Sequence, residues 1–211
     1  MAFFHSRDTA NLIQVTAPGH DGIRASIAYD RILKYFQAAR TQQRRIARLL
    51  KQQDLYVSRL TLGDNLSNSR LARPKAFSQI FTEIHFYFIS WHTIGESFKA
   101  LSTFGRLSCI KPLLSRYRHL LEHYSDGRHI LEHFGERLPG GKHMQIAGAL
   151  DLGNLHEFNF TFGGKKWDVG PNSMEPLKTL VRHLEQEAGR EANEKYQTHP
   201  LKKYREKTKG K

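Results

Sequence analysis

The chain has 211 residues, 39% of them hydrophobic, with 33 Lys and Arg against 20 Asp and Glu and a formal charge of +13. That length suits one sizeable core, or one domain with appendages, and that hydrophobic content excludes a wholly disordered chain. The charge favours polyanions, nucleic acid first and an acidic membrane surface second.

A single cysteine, Cys109, excludes an intramolecular disulfide and fits a reducing compartment. Beside Ile110 it reads as a small buried apolar residue. The opening MAFFHSRDTANL lacks the long apolar stretch of a secretory signal. The most apolar stretch, around Phe77–Trp91, is interrupted by Thr82, Glu83, His85 and Ser90 and is too polar to cross a membrane. The expectation is a cytoplasmic protein with no membrane partner.

Residues 1–25 read as an irregular N-terminal segment, with Pro18, Gly19 and Gly22 marking a turn. A first helix is predicted from about Ser26 to Leu60. Ile27, Ile32, Leu33, Phe36, Ile46, Leu49, Leu50 and Leu55 supply its apolar faces, and Arg40, Arg44, Arg45, Arg48 and Lys51 decorate the rest. Residues 61–72 are Gly-, Asn- and Ser-rich and read as a loop. A second helix should open near Pro74 and run to about Thr103, its stripe from Phe77 through Ile84, Trp91 and Phe98 to Leu101 making it the central core helix. Gly105 suits its stop.

A third helix is predicted from about Ser108, with Leu113, Tyr117, Leu120, Tyr124 and Leu131 as its buried stripe. It either breaks at Ser125-Asp126-Gly127 or passes through, and it stops at Leu138-Pro139-Gly140-Gly141. The period then changes. Phe158, Phe160 and Phe162 alternate with polar residues, Gly163-Gly164 offers a turn, and Trp167 and Val169 alternate again, which is a β-hairpin signature. Met144–Leu150 is a candidate earlier strand. Ser173 can cap a last helix, with Pro176 in its first turn and Leu177, Leu180, Val181 and Leu184 on its apolar face. From Gly189 onward eight Lys or Arg stand against three Glu, and this reads as a basic tail, frayed or disordered. The predicted class is mainly α (α+β): long core helices, then a small hairpin and a C-terminal helix. The boundaries are an irregular 1–25, a helical 26–188 and a tail 189–211.

The chemistry-bearing feature is a duplication. Arg118-His119-Leu120-Leu121-Glu122-His123-Tyr124 and Arg128-His129-Ile130-Leu131-Glu132-His133-Phe134 both read Arg-His-apolar-Leu-Glu-His-aromatic. A His exchanges protons near neutral pH, and an Arg fork fits phosphate oxygens. Metal-free RNA cleavage needs a base for the 2′-hydroxyl, an acid for the leaving oxygen and positive charge at the phosphorane. A Glu can orient the imidazole. On one continuous helix the copies lie about 80° out of register, so they cannot present the same face. Arg128 falls near the edge of the buried stripe and Arg118 further round. His119 and His123 have a zinc-compatible spacing but lack the adjacent Glu of an HExxH arrangement, so no metal or other cofactor is expected. The bland alternative is a solvated flank of helix-stabilising pairs.

An Arg-x4-His motif on a late helix of a helical bundle resembles the HEPN superfamily (higher eukaryotes and prokaryotes nucleotide-binding domains). Both Arg118…His123 and Arg128…His133 carry it, and Arg128 through Gly140 is similar to a form found in bacterial HEPN-like proteins, followed there too by a short hairpin and a helix. The resemblance spans about residues 74–188. A His follows each Arg here (His119, His129), where Asn or Asp is commoner in the family. The resemblance implies RNA as the nucleic-acid partner, a homodimer with facing motifs, and metal-independent endoribonuclease activity of the toxin or defence type, with an antitoxin or other protein partner. The implied base is His133 or His123, the phosphate clamp Arg128 or Arg118, and the orienting acid Glu132 or Glu122. The alternative is a non-catalytic helical module that binds nucleic acid or protein through the Arg40–Lys51 flank and the Lys202–Lys211 tail.

Overall fold

The structure, a computed structural model, describes residues 6–61, 69–133, 154–162 and 164–200. Among the described residues the chain is mainly α with a small antiparallel sheet. The order is α1 (Ser6–Thr16), α2 (Gly19–Thr61), α3 (Ser69–Phe104), α4 (Ile110–Glu132), β1 (Asn154–His156), β2 (Asn159–Phe162), β3 (Lys165–Asp168) and α5 (Pro171–Thr198). No helix among them is long and apolar enough to cross a membrane.

Residues 1–25 are not irregular as expected: from Ser6 they are helical. α1 buries Thr9, Ala10 and Ile13, and Ala17 just past its end is buried too, a helical spacing whose small and polar members leave only a faint apolar period. Pro18 and Gly19, with Gly19 at φ 54°, turn the chain directly into α2. At Gly22 an added Cβ would lie 2.1 Å from the Gln14 carbonyl oxygen, so glycine is there because α2 leaves the turn against the backbone of α1. α2 therefore starts at Gly19 and not at Ser26, and Ile27, expected on its apolar face, is 59% exposed.

The stretch expected as a loop, 61–72, is helical at both ends, since α2 runs to Thr61 and α3 begins at Ser69, ahead of Pro74; residues 62–68 lie outside the described residues. Serine is itself a favoured helix opener. The core role predicted for this helix is shown: Ile80, Ile84, Phe88, Trp91, Ile94, Phe98 and Leu101 are all buried. α4 opens at Ile110 and passes through Gly127 without a break. A Cβ at Gly127 would come within 2.9 Å of the Phe88 ring, so this glycine permits close packing and does not interrupt the helix. The hairpin is β2–β3, with Phe160 opposite Trp167 and Gly164 at φ 74° in the turn. β1 adds a third strand by pairing Leu155 with Phe160. The candidate strand Met144–Leu150 and the stop at Leu138–Gly141 lie outside the described residues.

α5 begins at Pro171, two residues ahead of the predicted cap. Ser173 is instead buried, its hydroxyl donating to the Gly170 carbonyl at 2.7 Å and accepting from the Tyr87 hydroxyl at 2.8 Å. The helix also continues to Thr198, so 189–198 is ordered helix and not frayed tail. Ala188, Gly189 and Ala192 are buried there, again a face of small residues. The tail beyond 200 lies outside the described residues.

The chain divides into two compact units. The first takes residues 1–36, 93–121 and 177–211. Its core includes Ile13, Tyr29, Ile32, Phe98, Leu113, Leu180 and Leu184. Here Glu191 of α5 receives the backbone N–H groups of Ser108 (2.7 Å) and Cys109 (3.1 Å) at the start of α4 and pairs with Lys195 at 3.0 Å. Burial works against that carboxylate's charge, but those bonds outweigh it and hold its pKa down at about 2. Burial, with Glu191 beside it, pushes the half-buried Cys109 thiol up to about 12, which disfavours the reactive thiolate.

The second unit takes residues 37–92 and 122–176. Its core is aromatic. Trp91 stacks on Tyr124 at 4.1 Å between ring centres, and Phe88 tilts against Trp167 at 5.6 Å. The hairpin is tied to α4 by two bonds: Trp167 Nε1 donates to the His123 carbonyl (2.8 Å) and the Tyr124 hydroxyl donates to the Asp168 carbonyl (2.7 Å). Burial raises the Tyr124 hydroxyl's pKa, which keeps it a neutral donor.

Candidate functional site

The duplicated segment lies on one helix as far as Glu132, with His133 just past its end, so the two copies meet different surroundings. The buried side of α4 runs through Leu121, Tyr124, Gly127, Ile130 and Leu131. Tyr117 and Leu120, expected on the stripe, are half-buried. Arg118, His119 and Glu122 of the first copy are exposed, and Arg118 falls in the first unit while Glu122 and His123 fall in the second.

His123 is the enclosed member. Its ring stacks on Trp167 at 5.7 Å and meets Tyr124 edge-on at 5.3 Å. Burial lowers its pKa, and Lys165 adds to the lowering, while Asp126 and a backbone bond with Lys166 oppose it. Lys165 and Asp126 form their own ion pair at 2.8 Å. A His held in this way is biased to its neutral form and covered by the hairpin.

The second copy belongs wholly to the second unit and is built around Arg128. Its Nε donates to Glu132 Oε1 at 2.7 Å, and its Nη2 faces Glu132 Oε2 at 2.6 Å, a two-pronged pair one helical turn apart. Its Nη1 lies 2.8 Å from His92 Nε2. A guanidinium has no lone pair to offer, so Nε2 of His92 must accept. That leaves Nδ1 of His92 as the protonated nitrogen, and it donates to Ser125 Oγ at 2.8 Å. The result is a continuous Glu132–Arg128–His92–Ser125 chain joining α3 to α4. His92 was absent from the sequence-predicted site. Its only advance signal was position: it follows Trp91 on the core helix, at the polar edge of an apolar stripe.

The Glu expected to orient an imidazole does something else. The Glu132 carboxylate closes on the Arg128 guanidinium, because an i, i+4 spacing brings those two ends together. His133 is half-buried just past the end of α4, its N–H donating to the His129 carbonyl at 3.2 Å. Its ring lies 4.5 Å from the ring of exposed His129. The structure thus places Arg128, Glu132, His129 and His133 on one flank of α4, and it places His123 apart, under the hairpin. Phe134 and the residues following lie outside the described residues. Among the described residues no group of three or more His, Cys, Asp or Glu could hold a metal ion.

Comparison with protein-family models, with curated proteins and with solved structures finds no match to this chain.

Proposed function

We propose that the chain is an RNA-binding protein of the HEPN type, a metal-independent endoribonuclease of the toxin or defence kind that acts in the cytoplasm as a homodimer. The observation that carries this reading is the pairing of the His129 and His133 rings at 4.5 Å beside Arg128, whose guanidinium is held by Glu132 and His92. His133 serves as the base. It takes the proton of a ribose 2′-hydroxyl, the freed oxygen attacks phosphorus, and the 5′-oxygen leaves with a proton from the same motif on the second subunit. The products are a 2′,3′-cyclic phosphate end and a 5′-hydroxyl end. Arg128 serves as the phosphate clamp, its positive charge offsetting the charge that grows on the phosphorane. The +13 charge supports capture of a polyanion.

The test is cleavage of an end-labelled RNA in EDTA. Wild type should yield cyclic-phosphate ends, and His133→Ala and Arg128→Ala should lose at least a hundredfold in rate, the scale of one acid–base or oxyanion contact, about 10²-fold. No cleavage by wild type, or equal cleavage by all three, overturns the ribonuclease assignment.

One observation favours a second reading. Three nitrogens of Arg128 are already engaged by Glu132 and His92, as in a scaffold that fixes α3 against α4. In that reading the protein is a non-catalytic module that binds RNA or a protein partner. It predicts salt-dependent RNA binding without turnover.

A further inference from the structure

The second unit holds a run of positive charge separate from the α4 flank. From Gln37 to Gln53, α2 carries Arg40, Arg44, Arg45, Arg48 and Lys51 and no acidic residue. At about 100° per residue, Arg40, Arg44, Arg48 and Lys51 fall within about an 80° arc, with neighbours about 6 Å apart or less along the axis. The arc points away from buried Ile46. Arg44, Arg48 and Lys51 are exposed, and among the described residues no hydrogen bond or ion pair engages them. Arg40 is half-buried and donates to Gln37 at 3.2 Å. Arg45 lies to one side and pairs with Glu83 at 3.6 Å.

Two other cations of this unit have acids beside them: Arg128 has Glu132, and Lys165 has Asp126. Like charges at i, i+4, as in Arg40/Arg44 and Arg44/Arg48, oppose helix formation. Arg44, Arg48 and Lys51 have no ion pair among the described residues, and an external row of anions would relieve their mutual repulsion. A membrane-surface helix would need an exposed apolar face next to its cations. Here the apolar side of α2 faces the interior at Ile46, and the stripe is bordered on one side by exposed Thr41 and Gln52 and on the other by half-buried Ala47 and Gln43.

We propose that the Arg40–Lys51 stripe of α2 is a binding track for the phosphodiester backbone of RNA, read by charge and not by base, and used in addition to the α4 flank. This rests on the RNA-binding reading above. It adds the surface that supplies non-specific affinity, because Arg and Lys neutralising phosphates release counterions, whatever the sequence.

The experiment is equilibrium binding of a fluorescent single-stranded RNA 20-mer in EDTA, from low to moderate NaCl. It compares wild type, the triple variant Arg44→Gln/Arg48→Gln/Lys51→Gln and the same-helix control Arg45→Gln. All the changes are at exposed positions, and circular dichroism confirms equal helicity. The track predicts that the triple variant lowers the slope of log K against log salt by about 2, at about 0.7 per phosphate contact on a single strand. It also predicts at least tenfold weaker binding at low salt, with Arg45→Gln changing the slope by less than half a unit. An unchanged slope in the triple variant overturns the track and leaves the RNA reading intact. Absence of RNA binding by wild type overturns both. Capture of wild type by anionic phosphatidylserine vesicles in place of RNA, lost in the triple variant, overturns the RNA assignment of this stripe. Cleavage is followed in the same samples for wild type and His133→Ala. Equal cleavage would sink the ribonuclease step while the slope still judges the track.

Discussion

Two stretches, one within α4 and one running to His133 just past its end, have the same residue pattern and different surroundings. In the first copy Arg118, His119 and Glu122 face outward and His123 is stacked under Trp167. In the second Arg128 is held between Glu132 and His92, and His129 and His133 stand ring to ring at 4.5 Å. Ten residues of helix rotate the pattern by about 80°, so each copy meets a different neighbour: the hairpin for one, α3 for the other. The difference teaches that repetition of a motif along a helix does not repeat a site. Chemical identity is inherited from the sequence, while protonation and orientation come from whatever packs alongside.

The largest effect that can break this comparison is expected at Trp167, which is fully buried and covers only the first copy's His. Trp167→Ala should destabilise the protein by about 3–5 kcal/mol, read as a lower urea midpoint, and should free the His123 ring. A loss below about 1 kcal/mol would mean that the hairpin does not hold α4 as described.

A smaller loss is expected from His92→Leu, which removes the acceptor facing Arg128 and the donor to Ser125. Leaving part-buried polar groups without partners should cost about 1–2 kcal/mol. Arg118→Ala, at an exposed position, should stay within about 0.5 kcal/mol of wild type. If the two changes were equal in a denaturant series, the second copy would hold no privileged position.

The two copies should also differ in acid. The folded-state pKa of His123 is lowered, first by burial and then by Lys165, so the unfolded chain binds a proton there more readily. Its contribution is complete above the ordinary histidine value of about 6.5 and is lost as pH falls from there through the lowered folded value. Denaturation midpoints should therefore decline across that window in wild type, and the decline should be shallower in His123→Phe. An identical slope in the two proteins would remove the enclosed-histidine account.

The smallest effect is expected at Glu132→Gln. The pair with Arg128 is a third exposed on each side, so its loss should cost only about 0.5 kcal/mol. Its value as a test is in ordering: Glu132→Gln should slow RNA cleavage more than it weakens folding if Arg128 needs that carboxylate for its position.

Much of the fold was legible wherever burial rests on large apolar residues. The stripe from Ile80 to Leu101 and the alternation of Phe160, Phe162 and Trp167 announced α3 and the hairpin. It was illegible where burial rests on small or polar residues. Thr9 and Ala10 in α1, Ala17 just past it, and Ala188, Gly189 and Ala192 in α5, bury little area each, so their helical period is faint in hydrophobicity and obvious only in contact. Glycine usually marks a turn or a break, so Gly22 read as part of a turn and Gly127 left a break or a continuous helix equally open; both serve close approach, one to the Gln14 carbonyl and the other to the Phe88 ring.

For the candidate site the division is similar. Sequence alone determined which groups are present: two Arg-His-Glu-His sets ten residues apart, an acid-free basic run on an earlier helix, and a net charge suited to polyanions. Local spacing could also have predicted the Arg128–Glu132 pair, since four residues bring its ends together whatever the fold. Only tertiary structure could bring His92 to Arg128 across 36 positions of chain, place Trp167 over His123, and so make one copy an enclosed histidine and the other an anchored arginine beside two imidazoles. The physical reason is that hydrogen bonds and desolvation act over a few ångströms of space, and the residues that supply them here are far apart along the chain.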